Sequence, residues 1–430
     1  FRRAVGTASS GSPAPSPILA KARRFARRTS PRRSSTDGSP VAEAQRSTRT
    51  FAILLAGMAA LGPFSIDTYL PSFHEIAEDF GATPLQVQQT LSAYLLAFAT
   101  MTLWHGALSD RFGRRRVILV ALALFGAASV GCAFATSIEQ LWIWRALQGV
   151  TAGAGMVITR AIVRDLFDGP PAQRLISQIT MMFALAPVIA PLIGGWLQTW
   201  FGWRSIFAFL VVLTALLWIA CWKLLPETLP PEKRQSLHPA YLGRAYWNVM
   251  TAPPFLLASG ALSLNFSGFF VYVLSAPVFL MTHLGVSETG FLWLFGPAMG
   301  GLMLGSWLSG HLAGKRSPGA TVRLGYGVMV TAAVINLGVN LTLPPGLPWS
   351  VAPLFVYTLG MSLAMPNLTL FALDPFPDNR GMAASCQTFM QSGFNGVVAA
   401  LIAPAVWGST LSLAGTMAGF LILGSVTALL

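Results

Sequence analysis

Asp67 is the only ionisable side chain between Phe51 and Pro71, a run otherwise apolar enough to enter a bilayer. A carboxylate at membrane depth costs about 3 kcal/mol on insertion scales, so its presence is a functional hypothesis by default. Counted from the outer end of that run, Asp67 lies about four residues in, roughly 6 Å at the rise of an α-helix. Arg145 lies about five residues into the fourth apolar run from the same face, at similar depth. A nearby cation lowers the pKa of a carboxylate and desolvation raises it. Alternating exposure would therefore let Asp67 load and release a proton, with Arg145 tuning it or competing with a ligand for it. The simpler alternative is a static ion pair that ties two helices together.

A second group of chemically capable residues sits in the loop Gly106-Ala-Leu-Ser-Asp110-Arg111-Phe-Gly113-Arg114-Arg115-Arg116. The glycines permit a tight turn, and Asp110 stands where a carboxylate needs a cationic partner. Anchoring arginines alone would account for neither the acid nor the glycine spacing. Arg160 and Arg164, one helical turn apart and followed by Asp165, end the fourth apolar run at the same face. Uncharged polar residues recur within other apolar runs: Gln387, Gln391 and Asn395 every fourth residue, and Asn265, Tyr272, Tyr94 and Asn367 singly. These are candidate substrate contacts, with Tyr69 and Phe64, although polar side chains in membrane helices serve equally as interhelical glue.

The elements that must hold these residues follow from composition. Of 430 residues, 54% are hydrophobic and 10% charged, against roughly 25% charged in a soluble domain. Crossing helices are predicted at 51–71, 87–107, 117–136, 140–162, 176–198, 205–225, 254–276, 289–310, 321–342, 350–371, 382–404 and 410–430, each near the roughly 20 residues that a bilayer requires. Residues 1–49 hold eleven Lys/Arg against Asp37 and Glu43 and no apolar run able to form a core. They read as a disordered basic tail, with a composition that also fits an organelle transit peptide. With the tail placed in the cytoplasm, the inside loops hold Arg111, Arg114, Arg115, Arg116, Arg164, Arg174, Lys223, Lys233, Arg234, Arg244, Lys315, Arg316, Arg323 and Arg380, and the outside loops hold Arg204 alone. Fourteen against one is a strong orientation signal. The net charge of +13 is thus a topology signal rather than a nucleic-acid footprint.

The longest break, residues 226–252, divides the helices six and six, into halves at 50–225 and 253–430. Leu108-Ser-Asp-Arg111 and Leu308-Ser-Gly-His311 occupy the same place in each half, 200 residues apart. The three cysteines, Cys132, Cys221 and Cys386, all lie in apolar runs with no metal-ligand spacing.

The loop Gly-x-Leu-Ser-Asp110-Arg111-x-Gly113-Arg114-Arg115 resembles the cytoplasmic signature of the major facilitator superfamily. Arg145-Ala-Leu-Gln148-Gly149 agrees with it, and Ala186-Pro187-Val-Ile-Ala-Pro191-Leu-Ile-Gly194-Gly195 looks like the antiporter motif of proton-coupled drug exporters. Pro63-Phe-Ser-Ile-Asp67-Thr-Tyr69-Leu-Pro71 and Gly202-Trp203-Arg204-Ser-Ile-Phe look more narrowly like the bicyclomycin-resistance and chloramphenicol-efflux (Bcr/CflA) branch. The resemblance covers residues 51 to about 425. It implies an all-α membrane fold of twelve crossings in two pseudo-symmetric six-helix bundles, in a bacterial inner membrane with both ends cytoplasmic. It implies proton coupling through an acid in the first crossing. Asp110, Arg111, Gly113, Arg114, Arg160, Arg164 and Asp165 are the candidates for a charge cluster that holds an inner gate closed when the protein faces outward, with arginines snorkelling at a helix end as the simpler alternative. Pro187, Pro191, Gly194 and Gly195 are then expected to kink the fifth crossing and limit leakage.

No Gly-x-x-x-x-Gly-Lys-Ser/Thr loop, His-Glu-x-x-His pair or Gly-x-Ser-x-Gly elbow occurs, so neither ATP hydrolysis nor an intramembrane enzyme is expected. The leading expectation is proton-coupled export of small amphipathic or apolar compounds. A proton-linked carrier of one metabolite and a non-transporting scaffold are the alternatives. The partners expected are a small-molecule substrate, protons and membrane lipid, with no nucleic acid, no metal and no cofactor, for a monomeric chain.

Overall fold

A computed structural model describes residues 40–166, 169–234, 239–313, 315–376 and 380–429. The chain forms two compact units, Phe1–Ile53 and Leu54–Leu430. In the first, the described backbone is helical from Pro40, inside the segment that composition reads as tail. Pro40 suits a first helical position because its missing N–H would have no intrahelical partner there. Everything below concerns the second unit.

The helices are α1 (Pro40–Asp67), α2 (Phe73–Phe80), α3 (Pro84–Phe112), α4 (Arg114–Ala133), α5 (Ile138–Leu166), α6 (Gly169–Phe201), α7 (Arg204–Leu224), α8 (Pro239–Met250), α9 (Pro253–Leu274), α10 (Leu292–Leu312), α11 (Pro318–Thr342), α12 (Ala352–Leu373), α13 (Arg380–Val397) and α14 (Thr410–Leu429). No strand occurs among the described residues beyond an isolated bridge between Ala313 and Arg316. Ten helical stretches among these residues are long and apolar enough to cross a membrane. The other two expected crossings are α6, whose described apolar part is Leu185–Phe201, and α13. The polar stripe Gln387, Gln391 and Asn395 lies on α13, which passes into a π-helical turn at Val398–Ile402.

Start and stop signals explain several boundaries. Thr83 caps α3 by accepting the Gln86 N–H at 3.3 Å while Gln86 Oε1 accepts the Thr83 N–H at 2.8 Å. This reciprocal box, with Pro84 at the first helical position, starts the helix ahead of its predicted apolar run. Gly113, at φ +96°, separates α3 from α4, a backbone setting that a side chain would strain. The first crossing ends at Asp67, and the chain turns through Leu70–Ser72 into α2, a short helix that carries Glu75 and Asp79. Asp79 pairs with Arg204 at 2.7 Å and also accepts the Trp203 indole N–H at 3.1 Å.

The helix pairs repeat between the halves. In the first, α3 packs on α5 and α4 on both α5 and α7; in the second, α10 packs on α12 and α11 on both α12 and α14. These are the second, third, fourth and sixth crossings of each half, so the faint sequence repeat has a counterpart in packing. Among the contacts that join the halves directly are α3 with α13 and α6 with α10. The linker helix α8 also bridges them. Its Tyr246 hydroxyl donates to Leu103 O of α3 at 2.6 Å, and Val249 is buried in a cluster with Phe255, Ala372, Ala383 and Cys386.

Candidate functional site

Asp67 closes α1 and is 4% exposed. It makes no ion pair within 4.0 Å among the described residues, so neither the static pair nor a direct contact with Arg145 is present in this conformation. Arg145, on α5, is fully buried and lies between two aromatic rings, its guanidinium carbon 4.5 Å from the ring centres of both Tyr69 and Tyr94. Arg145 Nη1 donates to Ser65 O at 3.2 Å and to Gln148 Oε1 at 2.8 Å, and Gln148 Nε2 donates to Ser129 Oγ on α4 at 2.8 Å. Nε and Nη2 of Arg145 have no hydrogen-bond partner among the described residues. A desolvated guanidinium gains more from ring quadrupoles than an exposed one, which is how this cation is held with no carboxylate within 4.0 Å among the described residues.

The tyrosines read from sequence as substrate contacts therefore hold Arg145. Tyr69 and Tyr94 are fully buried, with their hydroxyls bonded to Thr90 Oγ1 at 2.7 Å and Gly62 O at 3.2 Å. Ser65, Thr90, Ser129 and Gln148 complete the setting and were not singled out from sequence; only Gln148, in the Arg145-Ala-Leu-Gln148-Gly149 motif, carried a signal. Gly149 is required because a Cβ there would collide with the Tyr94 main-chain carbonyl. The motif thus places an arginine and the close helix approach that positions a stacking ring on one side of α5.

The proline–glycine motif of α6 reaches this region. Pro187 and Pro191 lie within the helix. A Cβ on Gly194 would strike Thr68 O, next to Asp67, and one on Gly195 would strike Glu288 O in the turn before α10. The motif's glycines therefore let α6 touch both the end of α1 and the other half of the chain.

At the opposite end of the helices, Arg114 organises a charge cluster. Its side chain, 8% exposed, pairs with Asp110 at 2.5 Å and Asp165 at 3.0 Å, and donates to Ser109 Oγ at 2.6 Å. Glu227 Oε1, from the segment after α7, accepts the Arg114 main-chain N–H at 2.9 Å and the Leu229 N–H at 3.1 Å, while Thr228 donates to Asp165 at 2.8 Å. A carboxylate at the first N–H groups of α4 is favoured by the helix dipole. Sequence reasoning missed Glu227 and Thr228 because the linker carried no pattern of its own. Gly113 leaves the space that Glu227 fills. Arg111 lies over the Phe112 ring at 5.4 Å, and Arg160 is exposed on α5. The Arg164 side chain lies outside the described residues.

The remaining polar candidates divide into two sets. Asn265 Nδ2 donates to the Tyr326 hydroxyl at 2.7 Å, Tyr272 accepts from Asn336 Nδ2 at 2.8 Å, and Asn395 Oδ1 accepts from Ser267 at 2.7 Å. These three spend polar atoms on ties between helices, with Asn265 Oδ1 left without a hydrogen-bond partner among the described residues. Gln387, Gln391 and Asn367 are partly exposed and have no side-chain hydrogen bond among the described residues, so they keep polar atoms available to a ligand.

Known proteins carry the same plan. Residues 53–400 match the Major Facilitator Superfamily family model. The chain is 31% identical over 353 residues to the uncharacterized MFS-type transporter YdgK of Bacillus subtilis, covering 82% of this chain and 88% of that protein. It is 27% identical over 367 residues to a bicyclomycin resistance protein homolog of Haemophilus influenzae, covering 84% and 90%. A bacterial homolog of the human lysosomal transporter Spinster, in an inward-facing and unoccupied conformation, superposes with a TM-score of 0.66 at 16% identity, over 91% of this chain and 96% of the other. This polytopic helical chain, with its motif set, belongs to the Major Facilitator Superfamily.

Proposed function

We propose that this protein is a proton-coupled exporter of small amphipathic or apolar compounds, in the manner of the Bcr/CflA drug exporters. Transport proceeds by alternating access between halves at 50–225 and 253–430, joined by the linker 226–252. The uneven loop charge supports a bacterial inner-membrane topology with both ends cytoplasmic, and the chain works as a monomer.

The observation that carries proton coupling is Asp67: a carboxylate buried at the end of a membrane helix, with no ion pair within 4.0 Å among the described residues, one residue before the Thr68 carbonyl that Gly194 of the antiporter motif packs against. An ionised carboxylate without a partner is unstable in such a place, so protonation and relocation of this segment are linked. The unused Nε and Nη2 of Arg145 offer donors to the carboxylate, or to a substrate acceptor, when the helices move. The ties among Asp110, Arg114, Asp165, Glu227 and Thr228 brace the inner end of the first half. Gln387, Gln391 and Asn367 supply uncharged polar contacts to substrate.

Asp67→Asn keeps the shape and removes the titration. In cells expressing the variant at the normal level, it should abolish resistance across a panel that includes chloramphenicol, and abolish substrate-induced proton movement in vesicles. Proton movement at the unsubstituted rate would remove Asp67 from the mechanism. Absence of both resistance and proton flux with the unsubstituted protein would remove the exporter reading.

A further inference from the structure

Where α13 continues beyond its π-turn, the chain contains Ile402-Ala403-Pro404, which repeats the Ile189-Ala190-Pro191 of α6 at the matching crossing of the other half. Proline has no N–H to give. In the π-register seen at Val398–Ile402, where the Ala403 N–H returns to Val398 O, the carbonyl of Ala399 would need the N–H of residue 404. In an α-register the carbonyl of Ala400 would need the same group. Pro404 therefore leaves this turn short of a main-chain donor in either register.

The missing donors come from the other half of the chain. Gln88 Nε2 donates to Ala399 O at 3.3 Å and Gln89 Nε2 to Ala400 O at 3.0 Å, both from the second turn of α3. Gln88 is fully buried and its Oε1 has no hydrogen-bond partner among the described residues. The amide cannot turn over to improve this, since its oxygen would then face a carbonyl oxygen. One turn or more deeper, Gly396 sits against Leu96, so the helices meet closely below the two bonds. π-Turns of this kind recur at functional sites.

We propose that Gln88 and Gln89 are gate-positioning residues that clasp the Pro404 turn and hold the face bearing Glu75 and Asp79 closed. The inference rests on the transport reading, because alternating access requires α3 and α13 to part at this face. Parting breaks both bonds, and entering water then satisfies the two carbonyls and the Gln88 oxygen left unmatched in the closed state. Two ordinary hydrogen bonds bias such an equilibrium by on the order of tenfold.

The test uses the full chain in membrane vesicles, with Cys132, Cys221 and Cys386 replaced by Ala and a reporter Gln391→Cys. A membrane-impermeant maleimide is confined to the side bearing Glu75 and Asp79. Q88M/Q89M, which keeps the side-chain volume and removes both donors, should raise the labelling rate on the order of tenfold. P404A, which returns an N–H to the turn, should raise it by part of that amount and add nothing to Q88M/Q89M. Gln89→Glu, at a half-buried position, turns the donor into an acceptor and should act in the same direction if the double substitution does not assemble. An unchanged rate in the glutamine variants, or independent addition of the P404A and glutamine effects, overturns the clasp. Labelling that behaves as expected, together with no movement of any compound by the chain that keeps Gln391, would keep the clasp and remove the exporter assignment.

Discussion

Arg145→Lys preserves charge and removes shape, so it separates two accounts of the buried cation. If Arg145 matters only as a positive charge near Asp67, lysine suffices. The geometry says otherwise. A guanidinium plane can lie between Tyr69 and Tyr94 with 4.5 Å to each ring centre while one nitrogen bonds both Ser65 O and Gln148 Oε1. An ammonium is a compact point that can approach one ring well and keep one of those bonds. The lost ring contact contributes about 1–2 kcal/mol when desolvated, and the lost charged hydrogen bond about 1.5–3 kcal/mol. Arg145→Lys is therefore expected to destabilise the folded protein by roughly 3 kcal/mol. Unfolding of the purified protein by SDS in mixed micelles measures this directly. A cycle with Tyr94→Leu should show strong coupling, because the second substitution removes one of the rings the first depends on. A change within about 0.5 kcal/mol for Arg145→Lys, or additive effects in the cycle, would refute the stacked-cation account.

Three further outcomes can be checked on the same preparation. Glu227→Ala leaves the first N–H of α4 without its carboxylate and should cost about 1–2 kcal/mol, Glu227→Gln less, with the difference shrinking as salt is added. Gly149→Ala already drives a Cβ into the Tyr94 carbonyl, so it should lower stability by about 1–3 kcal/mol and Gly149→Val by more, read as loss of monodisperse protein on gel filtration. Tyr272→Phe removes the interhelical bond from Asn336, worth about 0.6 kcal/mol in membrane helices; Asn336→Leu removes that bond together with the contact to Met417 Sδ and the bond accepted from Asn340, so it should cost more, and adding Tyr272→Phe to it should cost little further.

Much of the architecture was legible because bilayers impose simple rules. Apolar run length marked the crossings, and the Arg111–Arg116 loop carried a spacing specific enough to identify the family. The difficult elements were those in which function displaces hydropathy. α13 is less apolar than the other crossings because Gln387, Gln391 and Asn395 interrupt it, and the π-turn at Val398–Ile402 ends its regular part after 18 residues. α2 was absorbed into a loop because an eight-residue amphipathic helix has no bilayer-length signal. Within the charge cluster, Asp110, Arg114 and Asp165 were foreseen, and Glu227 and Thr228 were not, since they reach the cluster from 113 and 63 residues away respectively.

What the chain's residues determined alone is the solvent in which it folds, the handful of titratable groups inside that solvent, and their approximate depth, because each depends on composition and on rise along one helix. Depth is not contact. Asp67 and Arg145 share a level, yet rotation about separate helix axes directs Arg145 to Tyr69 and Tyr94 and leaves Asp67 with no ion pair within 4.0 Å among the described residues. Likewise Tyr69, Tyr94, Asn265, Tyr272 and Asn395 looked alike as polar groups in apolar runs, and only tertiary packing separated those that bind helices together from Gln387, Gln391 and Asn367, which keep their polar ends open. Those distinctions rest on which side chains face one another across helices, a property that no spacing within a single helix can specify.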